Sequence, residues 1–332
     1  MVYVGGIMNT VWEALGVSLA VTLFSGPVVI PLLRRLKFGQ QIRDDGPQRH
    51  LKKAGTPTMG GIMFLLGIVV AGLWLAHGSA EGMLVLCITL GFGLIGFLDD
   101  YIKVVLKRSL GLRAREKLLG QFMLAVVLVG LAVFQFGRGT DLALPFSGTT
   151  LEFGWLFYFV FTVFLVVGMV NAVNLTDGLD GLAAGTSALV AVAYVVIALL
   201  KGKAGVAVIM AAVVGGCLGF LWYNRYPAKV FMGDTGSLAL GGALAAAAVL
   251  TRSELIFLIV GAVFLAEALS VIIQVISFKL TGKRVFKMSP LHHHFELSNW
   301  SEVRIVLTFW LVTVVFALLG LAGMSANFSV LL

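Results

Sequence analysis

Residues 82–103 decide the fold of this chain and read Gly-Met-Leu-Val-Leu-Cys-Ile-Thr-Leu-Gly-Phe-Gly-Leu-Ile-Gly-Phe-Leu-Asp-Asp-Tyr-Ile-Lys. The segment 82–98 has no charged residue and is long enough to cross a membrane as a helix. Two carboxylates, Asp99 and Asp100, follow it directly. Because an ionised carboxylate beside hydrocarbon is energetically costly, such a residue usually has a function. The stretch therefore predicts a membrane-spanning helix that ends in a functional acidic pair.

Apolar runs of this kind recur along the whole chain. Of its 332 residues, 59% are hydrophobic and only 12% are charged, which lies outside the range of soluble proteins. We predict an all-α, polytopic integral membrane protein with a single domain over residues 1–332. About ten transmembrane helices are expected, near 12–33, 58–77, 82–98, 118–136, 154–173, 181–200, 204–223, 237–251, 254–280 and 303–325. The eighth is short and rich in Ala and Gly, and the ninth is long enough to tilt or to extend past the bilayer.

The distribution of Lys and Arg predicts the orientation. With both termini outside, 20 of the 24 basic residues fall in the five inner loops, as the positive-inside rule requires. The net charge of +8 is then cytoplasmic, which suits phosphate groups and the headgroups of membrane lipid. We expect no nucleic-acid partner, because the basic residues border hydrocarbon. Seven of the eight aspartates also fall on the inner side, so an active site on the cytoplasmic loops is expected. The longest outer segment, 137–153, is predicted to form a small connecting hairpin.

The first two inner loops combine basic residues with polar groups. In loop one, Lys52 precedes a Pro/Gly-rich helix start that contains Thr58. This loop is either a positive-inside anchor or a phosphate-binding loop beside a helix N-terminus. In loop two, Lys103 follows Asp99 and Asp100 at helical spacing, so the three side chains could meet. That group is either an ion pair at a helix end, or a site for a divalent cation or a base beside a metal ligand.

Inner loops three and four carry the remaining acidic motifs. Loop three has a polar residue at every third position, which predicts one polar face suited to a nucleobase or ribose. These residues are Asn171, Asn174, Asp177 and Asp180. Loop four places Asp234 between glycines, where it could bind magnesium. The alternative in each loop is helix capping, by Asp177 or by Asp234 or Thr235. Phe231 could stack on a base or pack against lipid.

Loop five contains three consecutive histidines, His292, His293 and His294. Phosphate or sugar contact suits them better than zinc, because three consecutive residues do not easily converge on one ion. Glu267 lies within the ninth predicted span, where a carboxylate is expected to face the protein interior.

Together these motifs resemble the polyprenyl-phosphate N-acetylhexosamine-1-phosphate transferases over essentially the whole chain. The motifs are Asp99-Asp100-Tyr101-Ile102-Lys103, the segment Asn171–Gly181, Phe231-Met232-Gly233-Asp234-Thr235-Gly236-Ser237, and Pro290-Leu291-His292-His293-His294-Phe295-Glu296. The last favours the muramoyl-pentapeptide branch over the GlcNAc-phosphate relatives. The resemblance implies a Mg²⁺-dependent enzyme of the bacterial plasma membrane, and a homodimer. It further implies that undecaprenyl phosphate attacks UDP-N-acetylmuramoyl-pentapeptide, so that UMP leaves and a lipid-linked pyrophosphate forms in peptidoglycan synthesis.

The resemblance also implies roles for individual residues. Asp234 would hold Mg²⁺, and Asp99 would deprotonate or orient the lipid phosphate with Asp100 beside it. His293 is assigned to catalysis. The residues expected to bind substrate are Lys52, Thr58, Lys103, Lys117, Asn171, Asn174, Asp177, Asp180, Asn224, Phe231, Gly233, His292 and His294.

Three alternatives remain open at this point. A GlcNAc-1-phosphate transferase is the nearest enzyme, a secondary transporter is the competing class, and a structural membrane scaffold is the third. A transporter is expected to place charges near the bilayer midplane and to show inverted repeats, whereas these charges cluster at one rim. A scaffold leaves the acidic motifs unexplained.

Overall fold

The structure, a computed structural model, describes residues 2–36, 55–108 and 110–325. These residues form helices and one two-stranded hairpin. The helices are α1 (Val2–Arg35), α2 (Gly61–Leu75), α3 (Ala80–Val104), α4 (Ala114–Gly130, continued by a π-helical turn Leu131–Gln135), α5 (Trp155–Thr176), α6 (Leu182–Leu200), α7 (Ala204–Asn224), α8 (Gly233–Leu250), α9 (Glu254–Val260), α10 (Ala262–Thr281), α11 (Leu291–Glu296) and α12 (Glu302–Ser325). The strands are β1 (Asp141–Ala143) and β2 (Thr150–Glu152).

The helical, multi-pass architecture expected from the sequence is confirmed. Among the described residues, nine helices are long and apolar enough to cross a membrane: α1, α3, α4 with its continuation, α5, α6, α7, α8, α10 and α12. The second predicted span is the exception, because α2 has 15 residues and a full crossing needs about 20. The expectation of ten full spans is therefore corrected to nine long helices and one shorter apolar helix within this part of the chain.

The ninth predicted span, 254–280, is not one continuous helix. It breaks at Gly261 into the short α9 and the longer α10. Glycine is a poor helix former because its backbone loses the most freedom on folding, so it is a natural place for the break. The length that suggested a tilted span instead reflects two helices in succession.

The predicted hairpin in 137–153 is confirmed. Strands β1 and β2 pair antiparallel, with Leu142 opposite Leu151. Helix α3 runs between the two ends of the bundle, and Asp99 and Asp100 lie within its last two turns. We call the end with these carboxylates the site end, and the end with the hairpin and residues 251–253 the far end. The strands are the exception to an otherwise helical fold.

Helix α8, which corresponds to the short Ala/Gly-rich eighth span, lies at the centre of the bundle. Every residue from Thr235 to Leu250 is buried, and α8 packs against α3 and α5. Small residues let helix backbones approach closely. At the site end, a Cβ added to Gly96 of α3 would overlap the carbonyl oxygen of Asp234 in α8. This close approach brings the acidic residues of the two helices together.

A buried ion pair joins several elements at the far end. The Arg138 guanidinium lies 2.6 Å from the Glu254 carboxylate, and both side chains are almost fully buried. The Tyr158 hydroxyl donates to Glu254 at 2.7 Å, and Arg138 also stacks over the Tyr158 ring at 4.4 Å. Arg138 also donates to the carbonyl oxygen of Asp141 in β1. The contacts connect the end of α4, the hairpin, α5 and α9.

Removing one member of this pair leaves a buried charge without compensation. We therefore expect Arg138→Met to lower the free energy of unfolding by about 3–5 kcal/mol. Heating in detergent with a thiol-reactive fluorophore measures this, because Cys217 is fully buried and reacts only when the protein opens. The exposed Cys87 is replaced by Ser beforehand.

The matched control is Lys203→Met. It breaks the ion pair with Glu81 at the far end, whose side chains are 33% and 20% exposed. A partly exposed pair contributes about 0–1 kcal/mol, so the unfolding temperature is expected to change little. Equal shifts for the two variants would contradict a special role for the Arg138 pair.

Candidate active site

Three carboxylates converge at the site end. Asp99 and Asp100 come from the last part of α3, and Asp234 comes from the start of α8. One oxygen from each of the three carboxylates lies within 4.8 Å of an oxygen from each of the other two. Asp99 and Asp100 are only 2% and 4% exposed, whereas the Asp234 side chain is 18% exposed. The three form an acidic cluster that is accessible mainly at Asp234.

Asp100 fixes the start of α8. Its Oδ2 accepts hydrogen bonds from the N–H and the hydroxyl of Thr235, at 2.9 and 2.7 Å, and its Oδ1 accepts from the N–H of Asp234 at 3.2 Å. These N–H groups belong to the first turn of α8 and have no partner within the helix. A carboxylate from α3 therefore supplies the cap that the sequence suggested for Asp234 or Thr235. Its negative charge also suits a helix N-terminus.

Gly233 is required beside this cap. Its φ of +75° lies in the left-handed region. A Cβ there would lie 2.6 Å from Asp100 Oδ2 and 3.0 Å from the hydroxyl oxygen of Thr58. Thr58 is buried in the strand-like end of loop one, where the N–H of Gly60 donates to the carbonyl oxygen of Phe231 at 2.8 Å. Loops one and four are thereby joined at the acidic cluster, with Phe231 half-buried at their junction.

Two lysines form ion pairs with the acidic cluster. Lys117 Nζ of α4 lies 2.7 Å from Asp234 Oδ2, and Lys103 Nζ lies 3.1 Å from the same oxygen. Lys103 also forms an ion pair with Asp99 at 2.5 Å, which is the i,i+4 contact that helical spacing predicts. The other oxygen of Asp99 accepts the N–H of Leu112 at 2.8 Å. At their ordinary ionisation, three carboxylates and two ammonium groups leave one net negative charge.

The polar residues of loop three do not form one row. Asn174 donates to Asp234 Oδ1 at 3.0 Å and to the Ser237 hydroxyl at 2.8 Å, so it belongs to the acidic cluster. Asn171 instead pairs with the Gln121 amide of α4, at 2.7 Å. It lies about one helical turn further from the site end, and its amide helps to hold α4 against α5.

Asp180 and Asn224 hold the loops to one another. Asp180 Oδ2 accepts the N–H of Ala228 in loop four, and its own N–H donates to the Glu302 carboxylate at the start of α12. Asn224 accepts the N–H of Gly181 at 2.9 Å and donates to a carbonyl oxygen in loop four. Both side chains are buried, and both are engaged with backbone groups.

Asp177 occupies the loop between α5 and α6. Burial of its carboxyl, and then the negative charges of Asp234, Asp100 and Asp180, raise its pKa to about 8, although the residue as a whole is half-buried. Near neutral pH the carboxyl is therefore largely protonated and can donate a hydrogen bond. It does not cap α6, whose N-cap residue is Gly181.

The histidines lie on α11, and the first of them contacts loop three. His292 is fully buried, and its Nδ1 lies 3.1 Å from Glu267 Oε1 of α10. Glu267 is also fully buried, as expected for a carboxylate inside a span. A Cβ at Gly178 would overlap Nε2 of His292, so the ring packs directly against the residue after Asp177. His293 and His294 follow on the same short helix.

Some functional groups were missed at the sequence level. Gln121, Ser237 and Glu302 each bind a side chain or backbone group of the predicted site. The available signal for Gln121 was a single amide within an apolar helix, which has to find a buried partner. Lys52 lies outside the described residues.

Comparisons with known proteins point to one family. The profile of glycosyl transferase family 4 matches residues 82–252, and signature 1 of the phospho-N-acetylmuramoyl-pentapeptide-transferases matches residues 53–65. The chain is 67% identical to the phospho-N-acetylmuramoyl-pentapeptide-transferase of Pelotomaculum thermopropionicum, over 96% of this chain and 99% of the relative. It is 63% identical to the enzyme of the same name from Desulforamulus reducens, over 95% of this chain and 96% of the relative.

The close contact of α3 and α8 makes Gly96 sensitive to substitution. We expect Gly96→Ala to lower the free energy of unfolding by about 1–3 kcal/mol, because the added methyl group meets the backbone of Asp234, which cannot turn away. Gly91→Ala in the same helix is the control. There the methyl group would lie 3.0 Å from the Leu124 side chain, which can change rotamer. Thiol-detected unfolding of both variants measures the difference, and a larger loss for Gly91→Ala would refute the close backbone contact.

The raised pKa of Asp177 predicts how stability depends on pH. Between the ordinary aspartate pKa of 3.8 and about 8, the folded state keeps a proton that the unfolded state has released, so stability falls as pH rises. Above about 8 both states are ionised and the loss is complete. Asp177→Asn does not titrate, so its unfolding temperature relative to the wild type should rise across this window and then level off. Parallel pH profiles for the two proteins would rule out the raised pKa.

Proposed function

The chain belongs to the phospho-N-acetylmuramoyl-pentapeptide-transferases of glycosyl transferase family 4, and from this membership we propose that it transfers phospho-N-acetylmuramoyl-pentapeptide from UDP to undecaprenyl phosphate. The products are UMP and undecaprenyl-pyrophosphoryl-N-acetylmuramoyl-pentapeptide, in the first membrane step of peptidoglycan synthesis. The chain is a multi-pass protein of the bacterial cell membrane. One observation of the site carries the proposal most directly, namely the acidic cluster with its two lysines at one end of the helix bundle.

Phosphoryl transfer depends on positioning and charge neutralisation more than on covalent help from the protein. The lipid phosphate, a phosphate monoester, is already largely ionised near neutral pH. Its oxygen attacks the β-phosphorus of the sugar nucleotide, where a new P–O bond forms. The bond from that phosphorus to the oxygen bridging to the α-phosphorus breaks, and UMP leaves with the electron pair. Within this reaction Asp99 orients the lipid phosphate through Lys103, and Lys103 and Lys117 neutralise phosphate oxygens.

The donor set of the acidic cluster fits Mg²⁺. This ion typically takes one or two protein carboxylates and completes its shell with water and phosphate oxygens. Asp100 is bound to the N–H groups and the hydroxyl at the start of α8. Asp234 and Asp99 each have an oxygen paired with a lysine ammonium group, which a cation can displace, so these two are the better placed ligands. One bound Mg²⁺ would change the net charge of the cluster from −1 to +1, which suits a pyrophosphate. When bound there, the ion would supply electrostatic stabilisation of the charge that develops on departing UMP.

Some polar residues of loops three and four are placed to contact the nucleotide directly, whereas others position neighbouring elements. Asn174 and Asp177 are nearest the acidic cluster, and the protonated carboxyl of Asp177 provides a donor for a uracil or ribose oxygen. Asn171, Asp180 and Asn224 act indirectly, because their side chains already hold neighbouring helices and loops. The half-buried ring of Phe231 at the junction of loops one and four is the candidate for stacking on the base.

The orientation of the protein suits the same reaction. With the basic loops in the cytoplasm, the site end faces the compartment of the soluble sugar nucleotide. The phosphate of the lipid carrier lies at the inner leaflet, where both substrates can reach the acidic cluster. A homodimer remains a prediction of the family resemblance.

The experiment that tests the function is UMP release by the purified protein in detergent, with undecaprenyl phosphate, UDP-N-acetylmuramoyl-pentapeptide and Mg²⁺. We expect release only when all three are present. Release with UDP-GlcNAc in place of the muramoyl nucleotide would assign the chain to the GlcNAc-1-phosphate transferases. Folded protein that releases UMP with neither nucleotide, and instead shows substrate counterflow in vesicles, would establish a transporter.

We expect Asp234→Asn to lower kcat by at least about a hundredfold, because several kcal/mol of transition-state stabilisation depend on the metal charge. The variant should also lose its response to Mg²⁺. Its unfolding temperature should stay above the temperature of the activity assay, so that the variant is folded when turnover is measured. Asp141→Asn is the control, since it removes a carboxylate at the far end and should leave turnover unchanged. An Asp234→Asn variant with a normal rate and a normal Mg²⁺ response would remove the metal assignment.

A further inference from the structure

Three consecutive histidines on α11 are held by three different partners. His292, His293 and His294 each use Nδ1 for a contact, and the chemistry of that contact differs from one ring to the next. A neutral imidazole has one donor nitrogen and one acceptor nitrogen, so the role of Nδ1 fixes the role of Nε2. The partners therefore decide where each ring carries its proton.

The Nδ1 of His294 is an acceptor. The backbone N–H of Lys287 donates to it at 3.2 Å, and a backbone N–H can only donate. The proton of His294 must then be on Nε2, and the ring must be neutral, because an imidazolium has no lone pair to accept with. The rings of His294 and Phe286 meet edge to face with a centroid distance of 5.9 Å, which helps to hold this orientation.

The Nδ1 of His292 is a donor. It faces Glu267 Oε1 at 3.1 Å, and the backbone N–H of His292 points at the same carboxylate at 3.3 Å. An ionised carboxylate only accepts, so Nδ1 carries the proton. On the other side of the ring, Nε2 presses against Gly178 and has no hydrogen-bond partner among the described residues. A second proton there would bury an unpaired N–H, which is costly, so His292 is neutral.

His293 is the one of the three that combines a carboxylate partner with partial exposure, because His292 is fully buried and His294 accepts from a backbone N–H. Its Nδ1 lies 2.7 Å from Glu296 Oε2, and its side chain is 17% exposed. A carboxylate at this distance favours the charged form of the imidazole. The rings of His292 and His293 have centroids only 4.1 Å apart, so two positive charges there would repel. If one of these two rings carries a positive charge, it is therefore the ring of His293.

We propose that Glu267 and Glu296 are positioning residues that make the three histidines chemically different. His293 carries the positive charge that faces a substrate phosphate, while His292 and His294 remain neutral in opposite tautomers. The identity of that phosphate rests on the proposed transferase reaction, but the proton arrangement of the rings does not. Glu267, inside α10, holds His292 against loop three, and Glu296, on α11, sustains the charge of His293.

Nitrogen NMR of the ligand-free protein in detergent tests the proton arrangement directly. The chain has five histidines, and ¹⁵N shifts of labelled rings distinguish Nδ1–H, Nε2–H and imidazolium forms. Single His→Asn substitutions assign the signals. Near neutral pH we expect Nδ1–H for His292, imidazolium for His293 and Nε2–H for His294. His77 is an internal reference at the far end, because its Nδ1 lies 2.9 Å from the carbonyl oxygen of Trp74 and should carry the proton.

A pair of matched substitutions tests the consequence for turnover. Glu296→Gln and Glu267→Gln each keep an oxygen that accepts the Nδ1 proton but remove the negative charge. Because only His293 needs that charge, we expect Glu296→Gln to lower kcat about tenfold further than Glu267→Gln, with little change in KM. Glu81→Gln at the far end is the control and should leave turnover unchanged.

The outcomes separate this proposal from the proposed function. Equal losses for the two Gln variants, or a neutral His293 in the spectrum, would overturn the proposal. An Nε2–H form for His292 or an Nδ1–H form for His294 would do the same. If the wild-type protein releases no UMP, the transferase assignment fails, but the NMR spectrum still decides the arrangement of protons.

Discussion

The contact between α3 and α8 is the constraint on which the site depends. Gly96 permits the two backbones to meet, and Asp100 then satisfies the free N–H groups at the start of α8. These two features fix the position of Asp234 relative to Asp99, because Asp234 lies inside the first turn that Asp100 caps. The acidic cluster is therefore a consequence of helix packing, and its geometry does not depend on a flexible loop.

The charged side chains at the two ends of the bundle differ in how deeply they are buried and in how they are paired. At the far end, Arg138 and Glu254 satisfy each other through close contacts and are almost inaccessible, which is the arrangement expected of a structural pair. At the site end, Lys103 and Lys117 share Asp234, and all three side chains remain partly exposed. A shared and accessible set of charges can exchange partners when a phosphate or a cation arrives. This difference supports chemistry at one end and stability at the other.

The sequence predicted much of the fold because the length of a hydrophobic run is a property of a single segment. It predicted the acidic residues of the site because carboxylates beside hydrocarbon are unusual. The break at Gly261 escaped prediction, since the sequence is apolar on both sides of it. The pairing of Asn171 with Gln121 also escaped it, because a spacing of three residues describes one helix and says nothing of the neighbour that it meets. Contacts between distant segments, such as Asp100 with Thr235, require the packed structure.

Hydrogen-bond partners also separate residues that can contact the substrate from residues that hold the site together. Asp180 and Asn224 occur in motifs that suggest direct binding, yet their polar atoms already bind the backbone of loops three and four. Satisfied groups of this kind resist exchange with a ligand, because breaking their bonds leaves buried backbone groups unpaired. Asn174 instead contacts the side chains of Asp234 and Ser237, and Asp177 lies beside the same cluster, so both are better placed to exchange partners with a ligand. A motif therefore marks where a site lies, whereas hydrogen-bond satisfaction indicates which of its members can act on a substrate.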